Sequence, residues 1–260
     1  MKRLQTREGI GYYLFNSLEH RVTHAIITRQ GGVSPEPWES LNVGGTVGDD
    51  PVRVEENRRR AFQALDRDPE TRYDVWQVHG VDVAVARKSR PAKPPYHQAD
   101  AVITDQPDVT LFMRFADCVP VLLFDPVRQV VGLVHAGWMG TVKAIVISAV
   151  QAMQANFGSC PDDLLAGIGP SIGPDHYEVG LDVTNSVRKT FKAQSAALLL
   201  ERNDHTHLDL WQANRLLLEK AGVHQVEVAG LCTACHVRDF YSHRAEHGRT
   251  GRYGALVALR

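Results

Sequence analysis

The sequence lacks the features that mark secreted, membrane-bound and nucleic-acid-binding proteins. It has only four cysteines in 260 residues, a formal net charge of -1, and no apolar run near the roughly 18 residues of a membrane span. The near-neutral charge excludes a global basic field that would attract nucleic acid or anionic lipid. Residues 1–15 carry early positive charge without the continuous apolar segment of a signal peptide. We therefore expect a cytoplasmic protein with mostly reduced cysteines and with no membrane or nucleic-acid partner.

The chain also lacks internal repeats and low-complexity tracts, so we expect residues 1–260 to form a single domain. Hydrophobic residues make up 43% and charged residues 23% of the sequence, which is typical of a globular enzyme. The most linker-like stretch, residues 88–98, contains three prolines. Strand-like sequence follows it at once, so we interpret it as a long loop within the domain.

Short apolar runs typical of β-strands outnumber the helical patterns. They read HAIIT, YDVWQVH, VDVAVA, DAVIT, TLFMRF, VPVLLF, VVGLVH, LLAGI, QVEVAGL and ALVAL. Helices are predicted from Asp50-Pro51 onward and over residues 141–156, 183–192 and 208–220. Because many strands follow one another directly, we predict an α/β fold of mixed, α+β-like character, with substantial antiparallel pairing and flanking helices.

One predicted hairpin brings a cysteine and a histidine together. Two apolar runs flank Asp125-Pro126, a strong turn signal. If Pro126 and Val127 form the turn centre, Cys118 lies directly opposite His135, with Cα atoms about 4.5–5.5 Å apart. Such a pair can form an activated nucleophile, bind zinc or copper, or simply pack as a buried cysteine beside a hydrogen-bonded histidine.

Two further features favour a functional site at this hairpin. His79 ends the strand-like segment WQVHG and could supply a third ligand from the same end of the sheet, although a structural role is the alternative. The glycines in HAGWMGT, residues 135–141, would let the backbone approach a ligand closely. The helix predicted to begin at Thr141 would point free N–H groups at the hairpin mouth, which suits an anion such as phosphate.

At these motifs the sequence resembles the bacterial YfiH-type family, known both as polyphenol oxidoreductase "laccase domain" proteins and as purine nucleoside phosphorylases. The resemblance runs nearly end to end, over TRQGGVSPEPWESLNVGGTVGDDPVRVEENRRR, WQVHG, ADAVITDQP, ADCVPVLLFDP, VHAGWMGT, GIGPSIGPDHYEVG and CTACHVRDFYSHRAEHGRTGRYGALVAL. It implies an α/β fold similar to that of the bacterial deamidase-toxin cysteine hydrolases, and a mononuclear metal site of His79, Cys118 and His135. It also implies phosphorolysis of adenosine, inosine, guanosine and methylthioadenosine to free base and ribose 1-phosphate, with some adenosine deamination.

The sequence departs from the family pattern at two positions beside the expected site. Met139 stands where the family has an arginine in HAGWRG, and Ala245 stands where a second arginine follows FYSHR. Both departures remove a basic side chain that would help to hold an anionic co-substrate.

Several arginines lie in polar, glycine-flanked segments that suit bidentate contact with phosphate. We predict Arg29, Arg58, Arg244 and Arg252 as candidate phosphate-binding residues, with solvated surface positions as the alternative. Asn42, in the segment SLN, is a candidate for hydrogen bonding to a ribose or a base.

Two aspartates flank the hairpin segments. Asp100 and Asp117 could each orient a metal-bound histidine or protonate a purine nitrogen, and a turn or capping role is the alternative for both. The segment CTACH, residues 232–236, has the spacing of a haem-attachment or redox motif. Because a single C-x-x-C lacks the second pair of a structural zinc site, we expect Cys232 and Cys235 to pack. Cys160 has no evident partner.

Following the resemblance, we predict a zinc-dependent purine nucleoside phosphorylase with adenosine deaminase side activity. Three protein ligands would leave one position of the metal open, which is typical of a catalytic zinc. The alternatives are a copper-dependent polyphenol oxidoreductase, a cysteine hydrolase with Cys118 as nucleophile and His135 as base, and a non-enzymatic metal-bound interaction module. The expected partners are small-molecule purine nucleosides and phosphate, and we expect a monomer or a weak homodimer.

Overall fold

The computed structural model describes residues 1–90 and 96–260, which form two six-stranded sheets, a separate hairpin and five α-helices. The strands are β1 Lys2–Gln5, β2 Gly11–Leu14, β3 Thr23–Ile27, β4 Arg72–Tyr73, β5 Val83–Val85, β6 Ala101–Thr104, β7 Thr110–Phe115, β8 Val119–Asp125, β9 Val130–Ala136, β10 Leu165–Ile168, β11 Leu199–Arg202, β12 His205–Leu208, β13 Gln225–Val228 and β14 Tyr253–Ala258. The helices are α1 Pro51–Gln63, α2 Trp138–Val142, α3 Ile145–Phe157, α4 Leu181–Phe191 and α5 Leu210–Lys220. Short 3-10 helices span Pro69–Thr71, Pro161–Asp163 and Lys192–Ala197.

Most strand pairs are antiparallel, which confirms the predicted fold class. The first sheet has the order β1-β2-β3-β14-β7-β4, the second has the order β13-β10-β8-β9-β6-β5, and β11 pairs with β12. The pairs β10–β13, β4–β7 and β5–β6 are parallel. That residues 1–260 form a single domain stays a prediction.

The two sheets stack face to face between helical layers. Side chains alternate along a strand, so neighbouring residues of β8 enter different cores. Leu122 and Phe124 lie in the core shared by the two sheets, whereas Val121 and Leu123 lie in the core beneath α3, α4 and α5. Helix α1 covers the outer face of the first sheet through Phe62. The order of layers is therefore α/β/β/α.

The predicted helices are confirmed except around residue 141. Asp50 caps α1 by accepting a hydrogen bond from the Val52 N–H, and α4 and α5 lie within two residues of their predicted bounds. The single helix predicted over residues 141–156 is wrong. The short α2 already begins at Trp138, and α3 begins only after Ala144 adopts a left-handed conformation with φ of 64°.

The central hairpin forms with a longer loop than predicted. Asp125 pairs with Val130, so residues 126–129 form a four-residue loop, and His135 pairs with Pro120 instead of Cys118. Adding two loop residues preserves the side-chain alternation, so Cys118 stays on the same face as His135, diagonally across the hairpin.

One predicted strand is shorter in the structure, and part of one predicted loop lies outside the described residues. The strand predicted through YDVWQVH is limited to β4 and an isolated bridge between Trp76 and Gln98, so His79 lies in a loop. Of the predicted loop at residues 88–98, residues 91–95 lie outside the described residues. None of the helices in the described part of the chain has the length and apolarity required to cross a bilayer.

Candidate active site

Three potential metal ligands meet at the open end of the β8–β9 hairpin. Cys118 directly precedes β8, His135 lies near the end of β9, and His79 lies in the loop before β5. Their donor atoms all lie within 4.8 Å of one another, and the Cys118 Sγ is 4.0 Å from the His79 Nε2. The centroids of the two imidazole rings are 5.0 Å apart. The three residues predicted as ligands therefore share one site.

The backbone around these ligands adopts conformations that cost free energy. His79 and Asp117 have positive φ angles of 58° and 79°, in the left-handed region that costs an L-residue roughly 1–2 kcal/mol. Gly137 is needed for a different reason. A Cβ atom there would lie 2.8 Å from the Cys118 Sγ and 3.2 Å from the His79 Cδ2, so only glycine leaves room for both side chains.

Asp100 orients two of the ligands from a fully buried position. Its Oδ1 lies 2.8 Å from the His135 Nδ1, which leaves the Nε2 of that ring to serve as the ligand atom. Its Oδ2 accepts hydrogen bonds from the backbone N–H groups of Val78, at 3.1 Å, and Gly80, at 2.7 Å. Asp100 therefore fixes both the His135 ring and the loop that carries His79, as carboxylates commonly do behind metal-binding histidines.

The same contacts keep Asp100 ionised. Burial alone would raise the pKa of its carboxyl group, but the hydrogen bonds from His135, Gly80 and Val78 outweigh burial and lower that pKa. An ionised acceptor of three hydrogen bonds is unsuited to protonating a purine. These contacts favour the first of the two roles considered for Asp100, orientation of a histidine, over protonation of a purine.

Cys118 and His135 form a coupled acid–base pair. Burial disfavours the Cys118 thiolate, but the charge and hydrogen bond of His135 outweigh burial and lower the pKa of Cys118 to about 6. Burial likewise opposes a charged His135, but the Cys118 charge and the Asp100 hydrogen bond raise its pKa to about 9. The cysteine is therefore poised as a thiolate near neutral pH, and the thiolate is the form that binds metals and attacks electrophiles.

The donor set fits a borderline metal ion. Two imidazoles and a thiolate are typical ligands of zinc and copper, and the carboxylate behind His135 completes the usual support. Cys118 is half-buried, whereas His135 is buried, so the site opens on the cysteine side.

In the described part of the chain, the Asp117 carboxylate does not hydrogen-bond to either histidine that it was predicted to orient. Its Oδ1 accepts a hydrogen bond of 2.6 Å from the Thr233 hydroxyl, and its Oδ2 accepts one of 2.7 Å from the Arg244 backbone N–H. Asp117, the residue before Cys118, therefore ties the segment that precedes β14 to the start of β8. Neither orientation of a histidine ligand nor purine protonation is evident from this placement.

Two of the four predicted arginines lie near Cys118. Arg252 is close enough for the Cys118 charge to act on it, and the Arg244 backbone N–H donates to Asp117, the residue before Cys118. Burial lowers the pKa of Arg252, and the nearby charges of Cys118 and Asp117 oppose that shift. The Arg244 guanidinium lies 5.3 Å from the Tyr177 ring centroid and donates to the Glu178 carbonyl. Tyr177 was not predicted as a site residue, because its segment GIGPSIGPDHYEVG contributed only to the family resemblance.

Arg29 and Arg58 instead stabilise loops. The Arg29 guanidinium lies over the Tyr241 ring and forms a 2.9 Å salt bridge with Glu246. Arg58 donates to the Val43 carbonyl and forms a salt bridge with Glu55. Each of these two guanidinium groups is already paired with a glutamate carboxylate, so the geometry does not favour them as phosphate ligands.

Asn42 is also a structural residue in this fold. Its side chain is fully buried, and its amide contacts the Gly44 backbone, the Asp49 carboxylate and the Arg252 N–H. A fully buried and fully hydrogen-bonded amide does not suit the predicted ribose or base contact. It does position Arg252, whose backbone N–H lies 2.8 Å from the Asn42 Oδ1.

The expectation that both C-x-x-C cysteines pack in the core is wrong for one of them. Cys232 is buried, but Cys235 is exposed, and both meet Asp175 and His176 from a distant turn. The sequence does not predict that these four residues lie together, because the two segments that carry them are far apart in the chain.

The two departures from the family pattern lie in different segments of the fold. Met139 is half-buried in α2, two residues after Gly137. Ala245 is exposed next to Arg244.

Known proteins resemble this chain in both sequence and structure. A family model described as "Multi-copper polyphenol oxidoreductase laccase" matches residues 23–260. The Deinococcus radiodurans protein named "Purine nucleoside phosphorylase" is 43% identical over 238 residues, which cover 92% of this chain and 89% of that protein.

Two solved structures of YfiH-type and YlmD-type proteins are similar to this chain in fold. The crystal structure of YlmD from Geobacillus stearothermophilus has a TM-score of 0.92 and 35% identity, and the match covers 99% of this chain and 98% of that one. The hypothetical protein YfiH from Bacillus licheniformis has a TM-score of 0.90 and 34% identity, with 96% of each chain covered. The YfiH-type resemblance inferred from the motifs is thereby confirmed.

Proposed function

The chain belongs to the multi-copper polyphenol oxidoreductase laccase family, and from that premise we propose that it is a zinc-dependent purine nucleoside phosphorylase. The proposed substrates are adenosine, inosine, guanosine and methylthioadenosine, with phosphate as co-substrate and adenosine deamination as a side activity. The name carried by the Deinococcus radiodurans relative supports this reaction. We further propose a cytoplasmic monomer or weak homodimer.

The observation that carries the proposal is the convergence of His79, Cys118 and His135 on one site with Asp100 behind it. Three ligands from one protein chain suit a catalytic zinc, which keeps a position open for substrate or water. When bound there, zinc would supply a fixed positive charge that holds phosphate and polarises a substrate group.

The surrounding side chains would bind and orient the substrates. Arg252 and Arg244 are the two arginines next to the ligands, and guanidinium groups suit phosphate. Burial raises the pKa of Tyr177 well above its ordinary value, and the Cys118 charge adds to that shift. Tyr177 therefore keeps its proton at neutral pH and is the hydroxyl that we assign to donate a hydrogen bond to the purine.

A nucleoside panel assayed with and without phosphate tests the proposal. We expect free base and ribose 1-phosphate to appear only when phosphate is present. Base release that does not depend on phosphate would contradict phosphorolysis. Because a side activity of adenosine deamination is proposed, inosine formation from adenosine is measured in the same samples.

Copper-dependent phenol oxidation is the second candidate because the family description names it. In the described residues the trio provides only three ligands, whereas multicopper chemistry requires several copper ions. Phenol oxidation that depends on added copper, together with inactivity towards nucleosides, would favour this candidate. Activity that survives metal removal but not thiol alkylation would instead favour a Cys118 nucleophile with His135 as base.

A further inference from the structure

A second cluster of metal-ligand side chains lies beside, but separate from, the candidate active site. Asp175 and His176 lie in a turn in which the His176 N–H donates to the Gly173 carbonyl. Cys232 and Cys235 lie in the segment after β13, and Cys232 pairs with Ser171 in an isolated bridge. One donor atom from each of the four residues lies within 4.8 Å of all the others.

The distances in this cluster are close to those between the ligands of a tetrahedral zinc ion. Zinc bonds of about 2.3 Å to sulfur and 2.0–2.2 Å to nitrogen and oxygen separate neighbouring tetrahedral ligands by about 3.4–3.8 Å. The His176 Nδ1 lies 3.7 Å from the Cys232 Sγ and 3.5 Å from the Cys235 Sγ. The Asp175 Oδ2 lies 3.1 Å from the Cys235 Sγ and 3.0 Å from the His176 Nδ1, so it needs to move by only a few tenths of an ångström.

The backbone also supports a thiolate ligand at Cys232. The Gly173 N–H donates a hydrogen bond of 3.2 Å to the buried Cys232 Sγ. A Cβ atom at Gly173 would lie 2.5 Å from the Asp175 Oδ1 and 3.0 Å from the Cys232 Cβ, so glycine keeps the turn against the cysteine segment. Hydrogen bonds to ligand atoms are the usual support of metal sites.

We propose that Asp175, His176, Cys232 and Cys235 form a second metal site, which binds one zinc ion and joins the 173–177 turn to the 232–235 segment. Two thiolates, one imidazole and one carboxylate make a complete tetrahedral set, which is typical of a structural zinc site. A disulfide would use the two sulfur atoms but would leave the imidazole and the carboxylate that face them without a role.

This site would position side chains of the active site without touching the substrate. Thr233, between the two cysteines, donates to Asp117, the residue before Cys118. Tyr177, directly after His176, lies against Arg244. The proposal does not rest on the phosphorylase assignment, because it depends only on the four side chains themselves.

Cobalt binding to a variant without the first site tests the proposal. The double variant His79→Ala/Cys118→Ala leaves the second cluster as the remaining predicted site. We expect it to bind one equivalent of Co²⁺ with thiolate-to-cobalt charge-transfer absorption. Adding Cys235→Ser removes one of the two thiolates, so it should reduce that absorption by about half or more and weaken cobalt binding by about tenfold or more. Adding Cys160→Ser, which replaces an exposed cysteine outside the cluster, should change neither.

Either of two results for the cysteines would overturn the second site. One is unchanged cobalt absorption after Cys235→Ser. The other is an isolated protein without metal at this site whose mass is lowered by two hydrogens, as a Cys232–Cys235 disulfide requires. His176→Gln, which replaces a side chain that is 47% exposed, provides a second variant if Cys235→Ser reduces folding. It should also weaken cobalt binding, and unchanged binding would contradict the proposal.

Discussion

At the scale of single residues, Asp100 connects the fold to the metal ligands. Its two carboxylate oxygens hold the His135 ring and the backbone on either side of His79. One side chain therefore sets the position of two of the three ligands. Such a residue acts on metal affinity through its neighbours and not by contact with the metal.

Replacing Asp100 with asparagine should therefore weaken zinc binding. An asparagine amide presents one acceptor oxygen instead of two, so at least one of the three hydrogen bonds is lost. We expect zinc affinity to fall by about 10- to 100-fold, measured by competition with a chelator. Asp105→Asn is the matched control, since Asp105 pairs with the exposed Arg87 near the other end of β6. Equal zinc affinity in the two variants would contradict the role of Asp100.

The close approach at Gly137 gives a second prediction at this scale. Gly137→Ala places a methyl group against the Cys118 Sγ and the His79 ring, so we expect a clear loss of zinc affinity with the fold retained. Gly80→Ala is the control, because its added methyl group would meet its nearest neighbours at 3.5 Å and 3.6 Å, ordinary contact distances. Metal titration of both variants, with circular dichroism for folding, distinguishes them. If Gly137→Ala binds zinc as tightly as Gly80→Ala, the packing argument is wrong.

The hairpin pattern and the family resemblance together predicted the ligand trio, but neither indicated the second cluster. Cys118 and His135 flank one turn, so simple hairpin pairing brings them together, and the family motifs added His79. The partners of Cys232 and Cys235 come from a turn far away in the chain. Only the folded structure shows that the two cysteines lie against Asp175 and His176. The saturated hydrogen bonds of Asn42 were likewise invisible in the sequence.

At the scale of secondary structure, the break between α2 and α3 is the clearest departure from prediction. No glycine or proline lies between residues 141 and 156, so the sequence gives no sign of a helix break and predicts one continuous helix. Tertiary contacts instead place Ala144 at φ of 64° and ψ of 42°, and the N–H groups of Ile147 and Ser148 bond to its carbonyl. The break separates the short α2, which begins directly after β9, from the longer α3.

Ala144→Gly should stabilise the protein. A left-handed alanine costs roughly 1–2 kcal/mol, which exceeds the extra chain entropy that glycine loses on folding. We expect the free energy of unfolding to rise by about 0.5–1 kcal/mol in a urea titration. Ala155→Gly, at an exposed position inside α3, should instead lower it by about 1 kcal/mol. Changes of the same sign in both variants would contradict the assigned conformation of Ala144.

The hairpin shows how local patterns limit register prediction. Asp125-Pro126 correctly marks the turn, but a two-residue loop and a four-residue loop give the same alternation of side chains. The prediction therefore placed Cys118 and His135 on the correct face and at the correct end, but paired the wrong residues.

At the scale of the whole molecule, the two stacked sheets enclose a titratable histidine. His24 of β3 is 2% exposed, its Nε2 accepts the Phe15 N–H at 2.9 Å, and its ring stacks on the Phe15 ring. Burial is the largest cause that lowers its pKa from 6.5 to about 4. The folded protein therefore keeps His24 neutral under conditions in which the unfolded chain protonates it.

His24 should make the protein less stable in acid. The unfolded state binds more protons than the folded state between pH 6.5 and about pH 4, so stability is retained above pH 6.5 and lost as the pH falls through this window. At pH 4 and below, the free energy of unfolding is lower by about 3 kcal/mol. His24→Gln keeps an acceptor for the Phe15 N–H but does not titrate. The stability difference between the two proteins should therefore change steeply from pH 7 to pH 4, and a constant difference would contradict this account.

The layered architecture was predictable only in outline. Directly consecutive strands indicated antiparallel pairing, and four helical patterns indicated covering helices. The insertion of the carboxyl-terminal β14 between β3 and β7 depends on long-range pairing that carries no local signal. The short strands β1, β2, β11 and β12 were missed for a related reason, since half-exposed residues give them weak apolar patterns.

The central claim is that Cys118 belongs to a metal site that performs nucleoside phosphorolysis. Phosphate-dependent release of ribose 1-phosphate from adenosine, measured with bound zinc for wild type, Cys118→Ala and the control Cys160→Ser, tests it most directly. We predict that Cys118→Ala loses at least about a hundredfold in activity together with its first-site zinc, whereas Cys160→Ser matches wild type. Equal ribose 1-phosphate release by wild type and Cys118→Ala would contradict the account.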